Sequence, residues 1–145
     1  MDGEKPRETL DARPAPKPGD NEKITINLGY VDLGRIDLLV REGFYSSRAD
    51  LIRTAIRNHL ASHLDALDAS LARNAMDLGL RDFGREELET ALNRREPLHI
   101  KVVGLARIAP DVTPELARGA IASVTILGAL KASREVKAAL ADRIR

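Results

Sequence analysis

The sequence predicts an α+β fold in two folded parts that follow a polar tail. The first part is a six-residue segment of strictly alternating side chains, followed by two helices that each have an apolar face. The second part repeats a strand–turn–helix pattern. With 145 residues, of which 43% are apolar and 31% charged, the chain is long enough to bury a core and polar enough to stay soluble.

The composition excludes several classes of protein. The chain has no cysteine, which rules out a disulfide scaffold, a thiolate zinc site and a cysteine nucleophile. Only 3% of its residues are aromatic, too few for a single-strand binder that stacks bases. The net charge of +1 indicates no particular partner. The longest apolar stretch, residues 120–130, is too short to span a bilayer, and no apolar signal core opens the sequence, so we expect a cytoplasmic protein without a membrane partner.

Residues 1–22 are predicted to be a disordered tail. They hold four of the seven prolines and almost no large apolar side chains. Such a segment buries too little surface to offset the entropy lost on ordering. Its four basic and six acidic residues give a net charge of −2, so it is no basic arm for phosphates.

The first folded element is a short strand, KITINL, at residues 23–28. Its apolar residues point one way and its polar residues the other, the period of a half-buried strand. Gly29 ends the strand, and Asp32 is the expected N-cap of the helix that follows. Gly43 is expected to close that helix in a left-handed conformation.

The second helix is expected to begin at Ser47, an N-cap residue. Asp50, three residues further on, completes a capping-box pattern. No glycine or proline interrupts residues 44–78, and leucines at 60, 64, 67 and 71 continue at heptad-like spacing. This stretch is either one long helix or two helices with a bend, and residues 62–76 are predicted to be a linker helix.

The C-terminal part repeats itself. GLARIAPDVTPELA, which starts at Gly104, overlays GALKASREVKAALA, which starts 24 residues later at Gly128. A weaker copy, GLRDFGREELETAL, starts at Gly79 and fits with one residue of slippage. Thr113 followed by Pro114 marks a helix start. Residues 77–145 are therefore predicted to form a small βα repeat domain for oligomerisation or sensing. Chance similarity among Ala- and Leu-rich helices is the alternative. The end strands of such an array would favour higher oligomers on DNA.

Candidate binding residues follow from the short strand, which cannot be stable alone. Pairing with the same strand of a second copy would give a homodimer, whose two-stranded antiparallel ribbon fits the DNA major groove. The polar face of that ribbon shows Lys23, Thr25 and Asn27 from each copy. Free backbone N–H groups around Ser46 and Ser47 make the start of the second helix a phosphate site, and Arg48 lies beside it.

These residues resemble a known family. KITINL followed by GFYSSRADLIRTAIR is similar to the ribbon-helix-helix domains of bacterial regulators, the CopG/MetJ/Arc-like group, over residues 23–61. The resemblance implies base reading by Lys23, Thr25 and Asn27, and a phosphate clamp at Ser46 and Ser47. It also implies an intertwined homodimer on a palindromic operator in double-stranded DNA, acting as a repressor at the nucleoid. It says nothing about the C-terminal half.

One observation limits these implications, and two alternative interpretations stand beside them. Residues 23–60 contain six basic and four acidic residues, so non-specific DNA affinity should be modest and strongly salt-dependent. On the alternative interpretation, the three polar side chains of the strand are only its solvent-exposed face.

An antitoxin that also autoregulates is the alternative function, with a toxin as its partner. Such toxin-binding tails are often disordered alone, whereas this C-terminal half looks folded.

No catalytic arrangement and no cofactor are expected. The sequence has no glycine-rich phosphate loop, no HExxH and no nucleophile elbow, so we predict that the chain is not an enzyme. His59 and His63 lie four residues apart, a spacing that can bind a metal, but only His99 remains as a third imidazole. Surface histidines are the preferred interpretation, and no metal site is predicted.

Overall fold

The computed structural model describes residues 21–145, and these form two compact units, Asn21–Arg73 and Asn74–Arg145. The elements in chain order are α1 (Tyr30–Arg41), α2 (Arg48–Ala61), α3 (Leu64–Asn74), β1 (Asp77–Phe83), α4 (Arg85–Asn93), β2 (Leu98–Ile108), α5 (Pro114–Ala120), β3 (Ile121–Lys131) and α6 (Arg134–Ala139). The fold class is α+β. The prediction of a disordered tail at residues 1–22 falls, except for its last two residues, outside the described residues.

Residues 22–29 form no helix and no paired strand in the single chain. The strand predicted at residues 23–28 has no second strand to pair with inside the unit that contains it. Sequence periodicity predicts which side chains share a face, but the hydrogen bonds of a strand need a neighbour. The ribbon therefore stays a prediction that a second copy of the chain would have to complete.

Helix α1 begins earlier than predicted. Its N-cap is Gly29, whose carbonyl accepts a hydrogen bond from the Leu33 N–H at 3.0 Å. Asp32 is not the N-cap but lies in the first turn, where a negative charge is favourable beside the helix N-terminus. The C-terminal prediction is confirmed. Gly43 has φ +85°, and the Phe44 N–H donates to the Leu39 carbonyl at 3.0 Å, as in a Schellman motif.

The Gly- and Pro-free stretch forms two helices with a break, one of the two arrangements that the sequence left open. Helix α2 begins after Ser47, whose side chain caps it as predicted, and ends at Ala61. Helix α3 then covers Leu64–Asn74. At the break, the Ser62 hydroxyl donates to the His59 carbonyl at 2.5 Å.

The second unit is built on a three-stranded parallel sheet in the order β1-β2-β3. The register places Gly79 beside Gly104 and Gly104 beside Gly128. Helix α4 connects β1 to β2, and α5 connects β2 to β3. Helix α5 packs against both α4 and α6. Helix α5 starts as predicted, with Pro114 at its first position and the Thr113 hydroxyl accepting from the Leu116 N–H at 3.2 Å. Parallel strands require such crossover connections, which here are the short helices.

The described residues place their whole core in the second unit. Every hydrophobic residue that is buried lies between Phe83 and Leu140, and Leu88, Val102, Ile121, Val124 and Leu140 are completely enclosed. Val112 and Val136, which the overlay of the two C-terminal segments placed at equivalent positions, are 3% and 1% exposed. None of the helices α1, α2 and α3 contains a buried residue. In the single chain the two units thus differ sharply in packing.

Candidate nucleic-acid interface

The segment that precedes α1 is exposed along its whole length. Lys23, Thr25 and Asn27, the predicted base-reading residues, are all exposed. The alternating apolar residues are exposed as well, with Ile24 at 72% and Ile26 at 60%. Isolated apolar side chains on a surface need no explanation, but a regular set on one segment is typical of an interaction site.

The helices of the first unit and the turn between α1 and α2 continue this exposed apolar set. Its large members are Tyr30, Val31, Leu38, Leu39, Phe44, Ile56, Leu60, Leu64 and Leu67. Tyr30 is 92% exposed and Phe44 is 71% exposed. A 53-residue unit with no buried side chain gains too little from the hydrophobic effect to offset its ordering entropy. Its packing therefore points to burial against another molecule.

The start of α2 binds a carboxylate of its own chain. Both the backbone N–H and the hydroxyl of Ser46 donate to Asp50 Oδ2, at 3.0 and 3.2 Å. In return, the Asp50 N–H donates to Ser47 Oγ at 3.0 Å. The predicted capping box is right in its first half, while its second half involves Ser46 rather than the Ser47 N–H. Of the donors predicted to hold a phosphate, those of Ser46 thus hold an anion at this helix start.

Arg48 forms an ion pair that the sequence did not reveal. Its guanidinium donates to both carboxylate oxygens of Asp37, Nε to Oδ1 at 2.7 Å and Nη2 to Oδ2 at 2.8 Å. The hydrogen bond from Arg48 lowers the pKa of Asp37, and the same bond raises the pKa of Arg48. The pair connects α1 to the first residue of α2. Because the partners lie 11 residues apart on different helices, no periodic pattern could have found Asp37.

The structure therefore brings the three predicted phosphate-binding residues together at one helix start. It leaves the three predicted base-reading residues on the preceding exposed segment. A comparison with protein-family models decides which family this arrangement belongs to. The model of the ribbon-helix-helix transcriptional regulator family matches residues 19–137. The chain belongs to the ribbon-helix-helix family. No curated protein and no solved structure gives a significant match.

This ribbon-helix-helix chain is a DNA-binding transcriptional regulator, and regulators of its family bind DNA, generally as dimers, and are in general not enzymes. The match also extends beyond the sequence resemblance, which ended near residue 61. It includes the sheet and most of α6. The second unit is thus part of what defines this group of regulators, a point that the short N-terminal motif could not show.

The histidines of the regulator make local contacts. The rings of His59 and His63 meet edge to face, with centroids 5.0 Å apart. His99 lies in the second unit, where its Nδ1 is 2.8 Å from Ser123 Oγ. Among residues 21–145 no three His, Asp or Glu side chains are grouped so that they could hold a metal ion. In the same residues no helix is both long and apolar enough to cross a membrane.

Proposed function

We propose that this ribbon-helix-helix regulator is a sequence-specific repressor that binds a palindromic operator as a homodimer at the nucleoid. Residues 23–28 of the two copies would pair as an antiparallel ribbon, with Ile24, Ile26 and Leu28 turned toward the helices. The observation that carries the proposal is the first unit, in which no side chain is buried while an alternating apolar set is exposed. A second copy of the same unit would bury that set and pair the strand at once.

The opposite face of the ribbon would enter the major groove. There Lys23 is a donor suited to guanine O6 and N7, and Asn27 can bond both N6 and N7 of adenine. Thr25 offers a hydroxyl and a methyl group, the latter suited to thymine. The two-fold axis of the dimer would present each residue twice, which predicts an operator with two equivalent half-sites.

The start of α2 would hold a backbone phosphate beside the ribbon. Ser46 and Ser47 supply donors at the positive end of the helix, and Arg48 supplies a cation. Asp50 binds the two Ser46 donors in the free protein, so a phosphate would take over hydrogen bonds that the carboxylate now receives. This competition makes phosphate binding depend on geometry rather than on net charge alone.

For the domain organisation we propose a DNA-binding domain at 23–61, a linker helix at 62–76 and a βα repeat domain at 77–145. The spacing of the three paired glycines, 25 and then 24 residues, supports the repeat. The second unit has its core within one chain. That observation favours a regulator over an antitoxin, because toxin-binding tails often fold only on their partner. A small protein that copurifies with this chain in equal amounts would reverse this preference.

Fluorescence anisotropy on the DNA upstream of the chain's own coding sequence tests the proposal. The variant Lys23→Ala/Thr25→Ala/Asn27→Ala should lose the preference for that DNA over a scrambled duplex, since each base pair read correctly is worth about 1–3 kcal/mol. A matched control removes the same three residue types from exposed positions of the second unit, as Lys101→Ala/Thr90→Ala/Asn93→Ala. Equal binding of both duplexes by wild type and the first variant would show that this segment does not read bases.

A further inference from the structure

The glycines of the parallel sheet make a close contact that repeats from strand to strand. A Cβ on Gly104 would lie 2.2 Å from the carbonyl oxygen of Gly79, and a Cβ on Gly128 would lie 2.0 Å from that of Gly104. Each of the two strands therefore needs a glycine where it meets the preceding strand. Both glycines have positive φ angles, +136° and +121°, which side chains rarely allow.

Gly79 has the same backbone conformation as these two glycines, but it does not lie beside a preceding strand of the sheet. Its φ is +122°, within a degree of the φ of Gly128. Yet β1 pairs only with β2, and no strand of residues 21–145 lies on its other side. The first strand of the sheet is thus already shaped to stack on the carbonyl of a preceding glycine.

At the opposite edge of the sheet, no strand among residues 21–145 pairs with residues 126–131 of β3. Residues 143–145 lie along the first part of the β3 edge. The Val124 N–H donates to the Arg143 carbonyl at 2.9 Å, and the Arg145 N–H donates to the Val124 carbonyl at 2.8 Å. From Ile126 onward, no strand among residues 21–145 pairs with this edge. An unpaired edge of this kind is a template for a strand from another chain.

We propose that the outer edge of β3, from Ile126 to Lys131, binds strand β1 of a second copy of this chain, continuing the parallel sheet from one copy into the next. Within the chain, paired strands align their glycines, Gly79 with Gly104 and Gly104 with Gly128. The same alignment between copies would place Gly79 of the second copy beside Gly128. Asp77 then lies beside Ile126, the position directly after the stretch that the C-terminal residues cover. Six of the seven residues of β1 therefore find a place on β3, and Phe83 would lie beside Ala132, just after the strand ends.

The side chains at this joint match in polarity. Leu78 of the second copy would lie beside Leu127, so that two leucines exposed by 52% and 61% cover one another. Asp82 of the second copy would lie beside Lys131. The equivalent position between β1 and β2 already joins opposite charges, since Arg107 Nε is 2.6 Å from Asp82 Oδ1. The incoming α4 would come next to α6, as α4 lies next to α5 within the chain.

This contact joins different surfaces of the two copies, so it is a head-to-tail contact that leaves another edge free at each end. The alternative arrangement for two copies packs the exposed sheet faces against each other, which would bring Leu127 close to Leu127. The proposal does not depend on DNA binding. A failure of the experiment below would leave the proposed operator binding untouched.

Cysteine cross-linking of the full chain tests the proposed contact between β3 and β1 of a second copy. Because the chain has no native cysteine, only the introduced thiols can form disulfides. In the variant Leu78→Cys/Leu127→Cys, the two thiols of one chain are two strand spacings apart, about 9–10 Å between Cα atoms. That exceeds the roughly 7 Å that a disulfide can bridge. Between copies, the proposed register makes them direct neighbours. Mild oxidation should therefore produce covalent dimers and higher multiples on a denaturing gel without reductant.

Two controls make the result specific to the register. Leu78→Cys/Thr125→Cys keeps both thiols on the same face but two residues out of register, and should give far less covalent product. The single variants Leu78→Cys and Leu127→Cys should cross-link when mixed and not when separate. Monomeric bands alone from the in-register pair would overturn the proposal. So would efficient cross-linking of Leu127→Cys with itself, which would assign the contact to the sheet faces.

Discussion

At the scale of single residues, two carboxylates hold the start of α2 in place, and the sequence pattern revealed neither of their side-chain partners. Asp37 binds Arg48, and Asp50 binds Ser46. Both bring negative charge next to residues that we propose to contact DNA. In the free protein these carboxylates hold the serine and the guanidinium in place, which would lower the conformational entropy lost if a phosphate binds there.

The Asp37–Arg48 pair predicts a dependence of stability on pH. The hydrogen bond from Arg48 lowers the pKa of Asp37, so the pair stabilises the fold above the ordinary Asp pKa of about 3.9. That contribution is lost as the pH falls through the lowered pKa. The thermal midpoint of Asp37→Asn should therefore lie below that of the wild type near neutral pH, and the two should converge in acid. Both side chains are half exposed, so the difference should be small.

A matched variant exists in the second unit, where Arg118 lowers the pKa of Asp142 by a hydrogen bond to its carboxylate. Asp142→Asn should show the same convergence with falling pH. If Asp37→Asn keeps its full deficit in acid, the Asp37 side chain stabilises the protein by some means other than its charge.

At the scale of elements, the helix caps followed from local rules, while strand pairing did not. The Ser47 and Thr113 caps and the Gly43 helix end were all predicted and are all found. Each depends on residues within one turn. The start of α1 was wrong because a backbone carbonyl at Gly29, which has no side-chain signature, made the first bond instead of Asp32.

The glycine contact in the sheet leads to a prediction for Gly104. Replacement by alanine puts a Cβ against the backbone carbonyl of Gly79, which has no rotamer to move away, and forces a side chain into a positive φ. Urea denaturation should show that the free energy of unfolding of Gly104→Ala is lower than that of the wild type by about 1–3 kcal/mol. Gly84→Ala is the matched control, because nothing lies within 4 Å of a Cβ there and φ is −87°. Equal stability of the two variants would mean that the strands do not approach as closely as described.

At the scale of the whole molecule, much of the candidate site could be located from sequence, but its energetics could not. The residue types and their order were enough to find the start of α2 and the spacing of the paired glycines, whereas the ribbon stays a prediction. The Asp37–Arg48 pair required the packing of two helices. The burial that would stabilise the first unit requires a second chain, which no single sequence describes.

The Asp37–Arg48 pair also determines how DNA binding by the proposed homodimer should respond to salt. If Arg48 leaves Asp37 to bind a phosphate, each dimer gains two phosphate contacts from this residue. The slope of log K against log salt then falls by about 0.9 for every contact removed. Arg48→Gln should therefore lower the magnitude of the slope by roughly 2, with anisotropy measured on operator DNA over a range of salt concentrations.

Arg134→Gln, an exposed arginine of the second unit, should leave the slope unchanged and serves as the control for net charge. Asp37→Asn adds the converse test. By releasing the guanidinium from its carboxylate, it should strengthen binding while it preserves the wild-type slope. A slope that does not respond to Arg48→Gln would mean that the guanidinium stays on Asp37 in the complex. The phosphate would then be bound by the Ser46 and Ser47 donors alone, and Arg48 would only position the helix that carries them.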